Sequence, residues 1–139
     1  MKNPSKFLGN ERKYLDMVLD SESWSATSGS WTERLEIEFA KKFESKYSIA
    51  FNSGTSTMHA ALLAFGIEPG DEVIFSALSF PLYIKIALQI GLKPILVDVE
   101  PENLNLDPDR LRKAITAKTK AIVVTHLFGH PAQIDVISS

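Results

Sequence analysis

The amino-acid sequence predicts an α/β layer fold, in which helices pack on a β-sheet. Helical and strand-like segments alternate along almost the whole chain of 139 residues, which is the pattern expected of this class. The segment PILVDV at 94–99 is a nearly continuous apolar run, and such runs are typical of strands buried on both faces. With 45% hydrophobic and 23% charged residues, the chain can form one packed core and shows no sign of disorder.

Composition excludes several classes of function. There is no cysteine, so disulfides, thiolate metal sites and thiol nucleophiles are ruled out. A net charge of -2 and a pI near 5.9 give no basic field for nucleic acid or for an anionic membrane surface. The N-terminus resembles no signal peptide, and no apolar stretch is long enough to span a bilayer. We therefore expect a cytoplasmic protein that acts on small molecules.

Two helices are expected at the start of the chain. The first covers Glu11–Leu19, whose apolar residues fall on one face, and the polar stretch SESWSATSGS after it predicts a loop. The second helix follows Thr32, in ERLEIEFAKKFESKY, where acidic residues precede the lysines as the helix dipole prefers. Its apolar residues recur at helical spacing: Leu35, Phe39 and Phe43.

The middle of the chain alternates strand and helix. A short strand, SIAFNS, is expected at 48–53, followed by the helix TSTMHAALLAFG, which Gly66 closes. The turn Glu68-Pro69-Gly70 leads into a second strand, DEVIFS, at 71–76. Another helix is expected over Phe80–Ile90, with proline tolerated in its first turn and glycine after its end.

The last third continues the alternation. The strand PILVDV precedes Asp107 and Pro108, which are typical of the cap and first position of a helix, here ending at Ile115. KAIVVTHL at 120–127 is expected to be the last buried strand, and PAQIDVISS resembles a helix that is cut short. We therefore expect a fragment of a larger domain.

A polar turn at Asn52–Thr57 is the first candidate site. It lies where a strand is expected to lead into a helix, and such a junction directs unpaired N–H groups and the positive end of the helix dipole at one spot. Gly54 permits a tight turn and close approach of a ligand, and the neighbouring hydroxyls can donate to phosphate oxygens. The alternative is an ordinary helix cap. No P-loop lysine and no G-x-G-x-x-G motif is present, which disfavours ATP and dinucleotides. The hydroxyls belong to Ser53, Thr55, Ser56 and Thr57.

The three histidines give weaker signals. His59 is expected to pack or cap on the helix after the polar turn. His126 and His130 flank Leu127-Phe128-Gly129 at the end of a strand, so a place near the floor of an active site is open to them. Their spacing with carboxylates matches no metal site, and no nucleophile-elbow context surrounds a serine. We assign neither a metal nor a nucleophilic triad.

Two long runs carry a family resemblance, NSGTSTMHAALLAFGIEPGDEVIFSALSF at 52–80 and GLKPILVDVEPENLNLDPDRLRKAITAKTKAIVVTHLFGHPAQID at 91–135. Together with GSWTERLEIEFAKKF at 29–43, they resemble the DegT/StrS-type sugar aminotransferases, which depend on pyridoxal phosphate. The resemblance implies the large domain of a fold type I enzyme, a three-layer fold with a mainly parallel sheet between helices, incomplete in this chain. It also implies an N-terminal helix and loop at 1–31, the N-terminal part of the cofactor-binding domain at 32–139, and a homodimer.

The resemblance assigns roles to particular residues. Gly54, Thr55 and Ser56 would hold the cofactor phosphate, and Phe80 would stack on the pyridine ring. An aromatic residue just past a strand's carboxyl end does stand where α/β sheets present ligands, although a core phenylalanine at a helix start is the alternative. At the position of His130 the family more often has glutamine.

One loop is implied to shape the mouth where the sugar nucleotide enters. Its aromatic residues either cover a ligand or pin the loop to its own core, and both interpretations stay open. The residues are Trp24, Thr27, Gly29 and Trp31.

The implied activity is transfer of an amino group, typically from glutamate, to a nucleotide-linked keto sugar. It requires a lysine and a carboxylate that keeps the pyridine nitrogen protonated, and in the family both lie beyond Ser139. Lys118 and Lys120 match no catalytic position, so we assign no catalytic residue and expect the isolated chain to be inactive. The alternatives are a related dehydratase, with histidine in place of the lysine, and a non-catalytic module that binds a phosphate ligand or a regulatory partner.

Overall fold

The computed structural model describes residues 9–21, 25, 27 and 30–139, which form two compact units, Met1–Phe51 and Asn52–Ser139. The first unit contains α1 (Glu11–Asp20) and α2 (Ser30–Lys42), neither of which has a buried residue. The boundary predicted from the family resemblance, between an N-terminal helix and loop at 1–31 and the cofactor-binding domain at 32–139, stays a prediction. No helix in the described ranges is both long and apolar enough to cross a lipid bilayer.

The second unit has the expected α/β architecture. Its three strands are parallel, in the order β2-β1-β3, so the class and the parallel sheet are confirmed. The elements in chain order are α3 (Gly54–Ala64), β1 (Glu72–Ser76), α4 (Pro81–Gln89), β2 (Lys93–Val97), α5 (Pro108–Ala114), β3 (Thr119–Val123) and α6 (Ile134–Ile137), with a 3-10 turn at Leu127–Gly129.

Alternation along β1 produces the three layers. Val73 and Phe75 are fully buried on the face that packs against α3 and α4, beside Leu62 and Ile86. Ile74 is fully buried on the opposite face with Val97, Leu106 and Leu111, the last from α5. The central strand is therefore covered on both faces, as parallel strands usually are.

β2 is less buried than the sequence predicted. Leu96 keeps 54% of its surface exposed, although it lies within the apolar run PILVDV. Within the described sheet β2 pairs only with β1, so it is an edge strand. The expectation that this run is buried on both faces is wrong, because Leu96 is paired with the buried Phe75 but the helix layer that covers Phe75 leaves Leu96 largely exposed.

The strand expected at 48–53 is not formed. The backbone N–H of Ala50 donates to the carboxylate of Glu36 at 2.7 Å instead of to a strand partner. The preceding helix also differs, because α2 ends at Lys42 rather than at Tyr47. Glu44, with φ 53, is in the left-handed region and breaks the helix there.

The cap predicted at Asp107, the turn at Glu68-Pro69-Gly70 and the glycines at the ends of two helices are confirmed, whereas α2 starts at Ser30, before the predicted Thr32. The carboxylate of Asp107 accepts hydrogen bonds from the N–H groups of Asp109 at 2.9 Å and Arg110 at 3.1 Å. The bond from Arg110 is the main cause that lowers the pKa of Asp107 below its usual value. Gly66 and Gly91 follow α3 and α4 with φ values of 66 and 79, in the region that favours glycine.

Candidate functional site

The polar turn before α3 is held by its own side chains. Ser53 is the N-cap, and its hydroxyl accepts from the N–H of Ser56 at 3.1 Å. The hydroxyl of Ser56 donates to Asn52 Oδ1 at 2.7 Å, and that of Thr57 donates to the carbonyl of Ser53 at 3.2 Å. Ser53 Oγ lies 3.0 Å from Ser56 Oγ. Among the described residues, only the hydroxyl of Thr55 in this turn lacks a partner.

Two backbone donors of the same turn are unused. No hydrogen bond among the described residues involves the N–H of Gly54 or of Thr55, whereas the next two N–H groups both bond to Ser53. A Cβ built on Gly54 would meet no atom within 4 Å, so open space adjoins these donors. The arrangement fits an anion such as the phosphate of pyridoxal phosphate.

Glycine is not needed at position 54 for the turn itself. Gly54 is the first residue of α3 and does not have a positive φ, unlike five other glycines of the chain. The expectation that Gly54 allows a tight turn is therefore wrong, because any residue can adopt this backbone conformation. Close approach of a ligand to its Cα remains the reason to expect glycine here.

The turn lies toward the carboxyl edge of the sheet. Phe65, just after α3, lines one cavity with Asp71 and Lys120, which stand at the amino ends of β1 and β3. α3 therefore runs opposite to the strands, and Gly54 at its start is directed toward their carboxyl ends. This is the edge at which α/β sheets bind ligands.

Phe80 stands at that same edge. It is the N-cap residue of α4, directly after the loop that leaves β1. Its ring makes a T-shaped contact with the ring of Tyr83, with centroids 5.5 Å apart and an interplanar angle of 74°. Because 51% of its surface is exposed, Phe80 is not a core residue of the described chain, and part of its surface is open to a ligand.

Asn105 is a structural residue that sequence reasoning missed. It is only 1% exposed, yet its side chain spans the turn after β3: Nδ2 donates to the carbonyl of His130 at 3.1 Å, and Oδ1 accepts from the N–H of Leu127 at 3.0 Å. This turn includes Phe128, which has φ 54 and is 88% exposed. An asparagine in a polar connection gives no sequence signal of burial.

The contacts of the histidines indicate structural roles. His126 Nδ1 accepts a hydrogen bond from the N–H of Ala132 at 3.0 Å, which supports the turn. The carbonyl of His130 bonds to Asn105, and His59 is half-buried on α3. Within the described ranges no group of three or more histidine, aspartate or glutamate side chains is placed to hold a metal ion.

The N-terminal aromatic loop is described only in part. Trp24 and Gly29 lie outside the described residues, and Thr27 is exposed. The indole N–H of Trp31 donates to the hydroxyl of Ser21 at 3.2 Å, and the guanidinium of Arg34 lies 4.7 Å from its ring. These contacts lie within the first unit, so they favour a role for Trp31 in pinning the loop locally.

Comparisons with known proteins give a consistent result. Residues 8–139 match the model of the DegT/DnrJ/EryC1/StrS aminotransferase family. The GDP-perosamine synthase of Caulobacter vibrioides is 40% identical over 129 residues, which are 93% of this chain and 34% of that protein. An aminotransferase from Psychrobacter cryohalolentis superposes with a TM-score of 0.89 at 35% identity, over 98% of this chain and 35% of that structure.

A dehydratase is also similar. The GDP-4-keto-6-deoxy-D-mannose-3-dehydratase of E. coli, solved with bound hydrated pyridoxal phosphate, gives a TM-score of 0.88 at 31% identity, over 97% of this chain and 36% of that structure. The chain thus spans about a third of the length of the relatives it matches. Because the family model covers nearly the whole chain and agrees with the α/β sheet described above, the chain belongs to the DegT/DnrJ/EryC1/StrS aminotransferase family.

Proposed function

We propose that this chain forms the phosphate and ring contacts of a pyridoxal phosphate site in a sugar aminotransferase. The observation that carries the proposal is the pair of unused N–H groups at Gly54 and Thr55, together with the half-exposed Phe80 at the same edge of the sheet. When bound, the cofactor supplies the electron sink that amino-group transfer needs. The protein part described here binds and orients it.

Each residue has a defined part in this proposal. The N–H groups of Gly54 and Thr55 and the hydroxyl of Thr55 donate to the phosphate, and the helix dipole adds to the attraction. Ser56 belongs to the same cradle, but its hydroxyl must first release Asn52 to donate to a phosphate oxygen. Phe80 covers one face of the pyridine ring, while the Tyr83 ring packs against the Phe80 ring in a T-shaped contact.

The proposed substrate class is a nucleotide-linked keto sugar, with glutamate as amino donor. The support comes from similarity to a GDP-perosamine synthase and to an aminotransferase of known structure. A homodimer, a cytoplasmic location and the absence of nucleic-acid or membrane partners belong to the same proposal. The catalytic lysine and the carboxylate that pairs with the pyridine nitrogen are assigned to a part of the protein outside this chain.

Dehydration is the second candidate, because the E. coli dehydratase is nearly as similar in structure as the aminotransferase. Both activities use the same cofactor, so the residues described here serve either one. The deciding feature is the residue at the catalytic lysine position of the full-length protein. Lysine there favours transfer, histidine favours dehydration, and a protein that ends without that region favours a module that binds a phosphate ligand or a regulatory partner.

The phosphate assignment is tested by titrating the full-length protein with pyridoxal phosphate. Thr55→Val removes the one unengaged hydroxyl of the turn, and hydrogen bonds to charged groups contribute roughly 1.5–3 kcal/mol each. We expect the dissociation constant to rise about ten-fold or more. Thr57→Val is the matched control, since its hydroxyl bonds to Ser53 inside the turn. Equal affinities for wild type and Thr55→Val would remove the Thr55 hydroxyl from the site, and unchanged affinity in both Thr55→Val and Gly54→Ala would show that the phosphate binds elsewhere.

A further inference from the structure

The loop between β1 and Phe80 is anchored at three points. The N–H of Ala77 donates to the carbonyl of Val97 at the end of β2, at 2.8 Å. The hydroxyl of the buried Ser76 donates to the carbonyl of Leu78 at 3.1 Å, within the loop. The third anchor is a hydroxyl pair, Ser79 Oγ and Thr125 Oγ1, 2.9 Å apart and half-buried. It is the only one of these three that involves the residue next to Phe80.

Thr125 provides a firm attachment for this pair. It follows the end of β3 and directly precedes the turn that Asn105 holds through Leu127 and His130. Asn105 itself is buried next to Leu106, a residue of the core on the α5 face of the sheet. The hydroxyl pair therefore joins the residue before Phe80 to a segment fixed to the core.

The Phe80 ring needs such an attachment. About half of its surface is exposed, and its one ring contact among the described residues is the T-shaped contact with Tyr83, so packing alone leaves the direction of the ring weakly fixed. A flat ligand binds more tightly to a ring that is already oriented, because ordering a side chain on binding costs free energy. Fixing the backbone at Ser79 limits the directions in which the next side chain can project.

We propose that Ser79 and Thr125 form a positioning pair that holds the Phe80 ring in the orientation required to stack on the pyridine ring of the cofactor. This role rests on the function proposed above and adds residues that do not touch the ligand. It predicts that breaking the hydroxyl pair weakens cofactor binding although both side chains lie outside the contact surface.

The test measures cofactor affinity in the full-length protein, from the circular dichroism induced in the bound cofactor. Ser79→Ala and Thr125→Val should each raise the dissociation constant about two- to ten-fold, the range expected for one hydrogen bond. The double variant should be no weaker than the worse single variant, because both changes remove the same bond. Thr125→Ser keeps a hydroxyl and should restore affinity to within about two-fold of wild type.

Thr116→Val is the matched control. The hydroxyl of Thr116 donates to Glu72 Oε2 at 2.5 Å, so it ties the stretch before β3 to the start of β1, at the amino edge of the sheet. This variant should leave cofactor affinity unchanged. An equal loss of affinity in Thr116→Val would overturn the proposal, because the effect would then be a general one on stability.

The Phe80→Leu variant distinguishes failure of the proposed cofactor site from failure of the positioning role of Ser79 and Thr125. If Phe80→Leu weakens binding while Ser79→Ala and Thr125→Val do not, the positioning role is wrong and the cofactor site stands. If Phe80→Leu leaves affinity unchanged, the ring contact fails and the positioning role fails with it. Apo-protein unfolding midpoints accompany each titration. Should Ser79→Ala or Thr125→Val be unfolded, the folded variants Thr125→Ser and Ser79→Thr decide. Both keep a hydroxyl and should bind the cofactor within about two-fold of wild type, and a larger loss in either variant overturns the pair.

Discussion

Gly54 is proposed to contribute to cofactor binding, and its backbone conformation does not require glycine for folding. Its φ is not positive, and a methyl group at this position would meet no atom within 4 Å. Since glycine raises the conformational entropy of the unfolded chain, we expect Gly54→Ala to keep or raise the free energy of unfolding of the apo-protein by up to about 1 kcal/mol. The same methyl group would occupy the space beside the unused N–H groups.

We therefore predict that Gly54→Ala lowers pyridoxal phosphate affinity about ten-fold or more, the loss expected when a charge-assisted hydrogen bond is blocked. Denaturation of the apo-protein and cofactor titration together provide the measurement. Gly66→Ala is a useful contrast, because φ 66 makes it strained and should lower stability instead. Unchanged affinity in Gly54→Ala would mean that no phosphate approaches this Cα.

Phe80 is the second residue whose role can be separated from folding. Stacking adds roughly 0.5–1.5 kcal/mol beyond area burial, so Phe80→Leu should raise the cofactor dissociation constant about two- to ten-fold. Because the residue is half exposed, the unfolding midpoint of the apo-protein should hardly change. Phe75→Leu, at a position 1% exposed, should behave in the opposite way. A destabilised apo-protein with unaltered affinity would remove Phe80 from the site.

At the scale of elements, Asn105 joins the connection between β2 and α5 to the turn after β3. Replacing it with leucine would leave the N–H of Leu127 and the carbonyl of His130 unpaired in a half-buried region. Each unsatisfied buried group costs about 1–3 kcal/mol, so we expect Asn105→Leu to lower the free energy of unfolding by roughly 2–4 kcal/mol. Chemical denaturation measures this loss.

Gln133→Ala is the control for Asn105. Its side chain bonds to Glu100 at 2.8 Å and joins the same two segments, but at an exposed position. Surface substitutions of this kind usually change stability by less than about 0.5 kcal/mol. Equal losses in the free energy of unfolding for the two variants would show that burial of Asn105 does not increase its contribution to stability.

At the scale of the whole molecule, the strand order β2-β1-β3 determines which strand residues contribute most to the free energy of unfolding. Ile74 on β1 is fully buried, whereas Leu96 on β2 is 54% exposed. Ile74→Ala should lower the free energy of unfolding by about 2–5 kcal/mol, as large-to-small core substitutions do. Leu96→Ala should cost less than about 1 kcal/mol. Similar losses for the two variants, measured by denaturation, would indicate that β2 is covered in solution.

The sequence alone was sufficient for the features that depend on neighbouring residues. The helix start at Pro108 follows from the capping residue Asp107 before it, and the turn at Glu68-Pro69-Gly70 follows from its own residue types. The alternation of elements predicted the α/β class, and motif similarity over nearly the whole chain identified the family. The sequence also predicted that Phe80 lies just beyond the carboxyl end of a strand.

Tertiary structure decided the features that depend on distant partners. Residues 48–53 have the composition of a strand, but a strand forms only beside another, and Ala50 instead bonds to Glu36. The exposure of Leu96 depends on the position of β2 in the sheet, and the burial of Asn105 depends on a turn more than twenty residues later. Likewise, only the folded turn shows which hydroxyls are already engaged. Hydrogen bonding and burial between remote segments are fixed by their packing, which residue patterns within one segment do not encode.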